Sequence, residues 1–85
     1  MKLHNLQTFT NEEFGQVRTM LINGEPYFVG KDITDNLGYR NGSRDIERHV
    51  DAEDRAEAMV HDGSQHRNMI IINESGLYSL VLGSK

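Results

Sequence analysis

The stretch VRTMLINGEPYFVG, residues 17–30, constrains this chain more than any other. Asn23-Gly24 stands between two runs of strand-forming residues, and Asn-Gly supplies the two positive-φ positions of a type I′ hairpin turn. A two-residue turn also fixes the register, setting Ile22 opposite Glu25, Leu21 opposite Pro26, Met20 opposite Tyr27 and Thr19 opposite Phe28. Pro26 then falls at a non-hydrogen-bonded pair, where the N–H it lacks is not required by the partner strand. Upstream, Leu3, Leu6 and Phe9 lie three apart and read as an irregular first strand.

After the hairpin the apolar period changes. In KDITDNLGY, Ile33 and Leu37 are four apart and Gly38 is placed to end a helix. Asn41-Gly42 makes a loop, Ser43 is a candidate N-cap, and RDIERHV repeats the four-residue spacing with Ile46 and Val50. Residues 51–58, acids interspersed with alanines, read as a solvated connector. AMVHD and NMIIIN can then pair as a second hairpin around GSQHR.

Asn73 or Ser75 can cap a last helix that carries Leu77, Leu80 and Val81 on one side, with Glu74 at the positive end of its dipole. Gly76 in its first turn costs about 1 kcal/mol relative to Ala, which points to a close backbone approach there. The expected fold is α+β: a small domain with two β-hairpins and three short helices, the last apparently cut short.

Length bounds the rest. Eighty-five residues suffice for one domain, spanning 1–85. A chain of this size buries only roughly 60 to 65 % of its unfolded surface, so help from a partner or a further segment is expected. There is no cysteine for a disulfide or a thiolate metal site. The longest apolar run is four residues, so neither a signal peptide nor a membrane span is expected, and a cytoplasmic location is. Nine Lys and Arg against thirteen Asp and Glu give a net charge of −4, the wrong sign for gripping phosphates without sequence preference.

Four blocks in order, FGQVRTMLINGEPYFVGKDITDNLGYRN, RDIERHV, INESGLYSL and the closing GSK, resemble the N-terminal domain of the BRO family (Bro-N) over roughly residues 9 to 85. That family occurs in prophage antirepressors and in repeated reading frames of large DNA viruses. The resemblance implies a non-enzymatic module of phage transcription control, acting in the switch from lysogeny to lytic growth, with DNA as the partner. The alternative is a protein-interaction and dimerisation domain that contacts a repressor or another protein without touching DNA.

The residues offer matching candidates. Arg44 and Arg48 are i,i+4 on the second helix, Arg40 sits in the loop before it, His49 lies beside them, and Arg67 stands at the second hairpin tip. Such a stripe can track a phosphate backbone or meet a partner's acids; equally, these arginines can offset Asp45, Glu47 and Asp51 on a solvated surface. Leu77, Leu80 and Val81 are the candidate interface of a symmetric homodimer, if no further chain covers them. His61 and His66 with Asp62 make a weak metal-binding pattern, better read as solvated loop residues. No nucleophile elbow, phosphate-binding Gly loop or HExxH is present, so neither an enzyme nor a cofactor is expected. Asp32 reads as a first-turn acid, and Tyr39 as a packed residue.

Overall fold

The computed structural model describes residues 6–61 and 63–84. In chain order it contains β1 (Gln7–Asn11), β2 (Gly15–Ile22), β3 (Glu25–Val29), α1 (Gly30–Leu37), α2 (Gly42–His49), a single 3-10 turn (Ala52–Asp54), β4 (Arg55–His61), β5 (His66–Ile72) and α3 (Glu74–Gly83). The fold is α+β, as expected, but the hairpins are not separate. All five strands form one antiparallel sheet in the order β1-β2-β3-β5-β4.

The β2–β3 register is the one the Asn-Gly turn dictates, from Thr19 opposite Phe28 to Ile22 opposite Glu25, with Asn23 at φ 53° and Gly24 at φ 81°. β1 adds to the free edge of β2 through a turn in which the Asn11 side chain accepts the Glu13 N–H at 2.7 Å. Leu3, assigned to the first strand, lies outside the described residues; the strand that forms is centred on Phe9.

β3 and β5 join the two halves through only two residue pairs, Phe28 with Ile72 and Val29 with Ile71. β3 then turns directly into α1, which packs against both β2 and β5. Residues 55–58, read as part of a connector, belong to β4: Ala58 and Val60 are buried while Glu57 and His61 on either side of them are exposed and Met59 between them is half-buried, the alternation of a strand with one covered face.

The core lies on both faces of the sheet. On one, Phe14, Val17, Phe28 and Ile72 meet Ile33, Ile46, Val50, Leu77 and Leu80 from the helices. The other carries Met20, Val29, Ala58, Val60 and Ile71, with Leu6, Ile22, Tyr27 and Met69 packed around them; these come from strands and from the residue before β1, with no helix residue among them. No described helix is long and apolar enough to cross a membrane.

Leu77 and Leu80 therefore do not form an open face. They are 4 % and 0 % exposed, covered by the chain's own sheet and by α1 and α2, and Val81 packs against the same cluster. The sequence alone does not show that α1 and α2 fold back over this side of α3, which is why the face reads as uncovered. Tyr78 and Leu82 are the large apolar residues of α3 left facing water.

Two junctions hold the helices in place. Asn73 caps α3, its side chain accepting the Gly76 N–H at 2.9 Å and donating to the Asp54 carboxylate at 3.1 Å. A Cβ on Gly76 would meet Ile72 Cβ and Val50 Cγ1 at 3.0 Å and the Asp54 carbonyl at 3.1 Å, the close approach inferred from the sequence. At the far end of α3, the Tyr39 hydroxyl donates to the Leu80 carbonyl at 2.8 Å and its ring lies 5.3 Å from that of His49. Burial, aided by the charge of Asp45, pushes the Tyr39 phenol above its ordinary pKa.

Candidate nucleic-acid interface

Because β3 leaves the sheet after two pairs with β5, the next residues of β5 face the α1–α2 connection across a groove. The groove has a volume of about 560 Å³ and is lined by Lys31 and Asp35 of α1, Arg40 of the connection, Ser43 and Ile46 of α2, and Arg67 to Ile70 of β5. Three cationic side chains from three elements thus converge on one concavity. The acid among its described lining residues, Asp35, accepts a hydrogen bond from Lys31 Nζ at 2.7 Å. The exposed Lys31–Asp35 pair adds little stability, and Arg40 and Arg67 bring two further positive charges to the groove lining.

The connection that carries Arg40 is held at both ends. Gly38, at φ 85°, ends α1 while its N–H donates to the Asp35 carbonyl at 3.2 Å and that of Tyr39 to the Thr34 carbonyl at 2.9 Å. Asn41, rather than Ser43, is the N-cap of α2. The Asn41 N–H donates to the Asp45 carboxylate at 3.1 Å, and the Asp45 N–H donates back to the Asn41 carbonyl at 2.7 Å. Asp45 is buried by this role, so it is not a surface acid balanced by the neighbouring arginines.

The five basic candidates separate into three places. Arg40 and Arg67 line the groove, and Lys31, which sequence reasoning did not single out, joins them. Arg44 and Arg48 are exposed on α2, two residues to either side of the buried Ile46 and hence on the opposite flank of the helix, outside the groove. His49 is half-buried against Tyr39 and belongs to the packing of α2 on α3. Among the described residues, Arg40, Arg44 and Arg48 make no ion pair.

On the adjoining side of α1, Asp32 accepts from Arg18 three times: from the backbone N–H at 2.9 Å, from Nε at 2.8 Å and from Nη2 at 2.9 Å. Burial pushes the Asp32 carboxyl up, but the Arg18 hydrogen bonds and the charges of Arg18 and Lys31 together outweigh it and hold the pKa below the ordinary value. This clamp ties the start of α1, and with it Lys31, to β2.

His61 and His66 pair across the end of β4–β5 with ring centroids 5.0 Å apart. Asp62 lies outside the described residues, and no group of three metal-ligating side chains occurs among those described.

The geometry defines a small α+β domain that presents a cationic groove between a sheet edge and a helix connection. The chain belongs to the BRO family: residues 16–85 match the family's N-terminal domain, Bro-N, which makes it a BRO-family regulatory domain. A similar protein is the Bro-N domain-containing protein 289L of Invertebrate iridescent virus 6, 28 % identical over 96 aligned positions that cover 92 % of this chain and 23 % of the relative. The chain thus spans about a quarter of the length of that relative. No solved structure matches it.

Proposed function

We propose that this domain is a non-enzymatic DNA-binding module of a phage or viral regulator of the antirepressor type, with the groove between β5 and the α1–α2 connection as its contact with the phosphate backbone. The observation that carries the reading is the convergence of Lys31, Arg40 and Arg67, from three different elements, on one concave surface where the acid among the described lining residues, Asp35, accepts a hydrogen bond from Lys31. Family membership supports a regulatory role. Net charge alone argues against DNA, but a phosphate responds to the local field, and the described lining of this groove carries Lys31, Arg40 and Arg67 against Asp35. Backbone contacts of this kind position a protein on the duplex, while sequence preference must come from groups that reach base edges; exposed Arg44 and Arg48 are the nearest candidates.

Fluorescence anisotropy with a mixed-sequence duplex at low salt tests the proposal. Wild type binds, and replacing Arg40 and Arg67 with Glu weakens binding by at least about tenfold, in keeping with roughly 1.4 kcal/mol per decade. Unchanged affinity in that variant removes the groove from consideration. Absence of binding by wild type favours a module that contacts only protein.

A further inference from the structure

A second concavity, independent of the cationic groove, lies between the β1–β2–β3 face and the outer side of α3. Its volume is about 880 Å³, at the upper end of the range of small-molecule pockets. Phe9, Leu21, Pro26, Tyr78 and Val81 line it. Three of them are unusually open for large apolar side chains: Phe9 is 46 % exposed, Tyr78 57 % and Leu21 67 %. Leu82, one turn beyond Tyr78 and 70 % exposed, extends the apolar surface. Scattered exposed leucines need no explanation, but here they share one groove and its flank.

Charge identifies the occupant. Among the described residues, the charged side chains lining this groove are Glu13, in the β1–β2 turn, and Glu74, in the first turn of α3; both are exposed. A second copy of the chain docked by the same surface would bring acids against acids, whereas a basic partner would pair with them. Backbone geometry narrows the choice further. The central strand of the floor, β2, is paired on both sides, so an extended peptide lying across it finds no open ladder to join. Recognition there runs through side chains, the mode by which an amphipathic helix seats in a groove. We infer that the groove between the β1–β3 face and α3 is a docking site for a basic amphipathic helix of a partner protein, which inserts apolar side chains between Leu21 and Tyr78 and places Lys or Arg near Glu13 and Glu74.

The probe is a fluorescein-labelled peptide of about 18 residues, long enough to become helical, with Leu at i, i+3, i+4 and i+7 and Lys elsewhere. It is compared with a scrambled peptide of the same composition and with a Leu/Glu counterpart. The Leu/Lys peptide binds saturably and at least about tenfold tighter than either control, because both the apolar stripe and the positive rim are required. Leu21→Ser with Tyr78→Ser removes that advantage; both side chains are more than half exposed, so circular dichroism stays at the wild-type signal. Glu13→Lys with Glu74→Lys reverses the preference toward the Leu/Glu peptide. Equal binding of the ordered and scrambled peptides overturns the inference, as does full binding by the Leu21/Tyr78 variant. Self-association of wild type that Leu21→Ser abolishes overturns it in favour of a second copy.

Discussion

At the scale of single residues, Asp32 and Gly76 carry the clearest consequences. The Asp32 carboxyl, held below its ordinary value of 3.8 by Arg18, binds its proton less readily in the folded than in the unfolded chain. Its contribution is therefore fully present above the ordinary carboxylate range and is lost as pH falls through the depressed folded value. Asp32→Asn should lower stability by about 1–2 kcal/mol at neutral pH, the scale of hydrogen bonds to a charged group at a partly exposed site. The gap from wild type should narrow in urea titrations repeated below the ordinary carboxylate range. Gly76→Ala runs against helix propensity. Alanine gains about 1 kcal/mol in a helix interior, yet the added methyl must push on Ile72, Val50 and the Asp54 carbonyl at 3.0–3.1 Å, and overpacking costs roughly 1–3 kcal/mol. The expected result is a lower denaturation midpoint with an unchanged m-value. Sequence reading reached the tight approach at Gly76 through its cost inside a helix. It had no means of reaching the Arg18–Asp32 clamp, whose partners are 14 residues apart and meet only when α1 folds against β2.

At the scale of elements, what was legible depended on local chemistry. Asn23-Gly24 dictated its turn and register, Gly38 ended α1, and Asn73 capped α3, each because one residue's conformational or hydrogen-bonding preference acts over a few neighbours. The joining of both hairpins into one sheet was not legible, since two pairs between β3 and β5, more than 40 residues apart in sequence, carry no local signature. The start of β4 was hidden by exposed Glu57 and the acids of the turn before it, and the burial of Leu77 and Leu80 by the distant helices that cover them. The basic candidates fared similarly: their identity was readable, but their division between the groove and the back of α2 followed from the β3–β5 junction. This division makes a prediction about α2. Glu in place of both Arg44 and Arg48 should reduce DNA affinity by less than the Arg40/Arg67 replacement does, with the anisotropy of one duplex read at one salt concentration for all three proteins. A larger loss from the α2 variant would make the exposed flank of α2 the principal contact.

At the scale of the molecule, a net charge of −4 conceals a division of surfaces: Lys31, Arg40 and Arg67 gather at the groove beside β5, and Glu13 and Glu74 line the apolar groove beside α3. The burial of Leu77 and Leu80 also removes the surface on which a symmetric dimer was expected, so the chain should sediment as a monomer at micromolar concentration; a dimer at that concentration would require another interface. The salt dependence of affinity decides whether the cationic groove meets DNA phosphates. Between about 50 and 200 mM salt, three phosphate contacts give a slope of log K against log salt near −2.7, at about 0.9 per phosphate. The slope should fall by roughly two when Arg40 and Arg67 are both replaced by Glu. A wild-type affinity that does not respond to salt, or the same slope in the double variant, would rule out the groove as a phosphate contact.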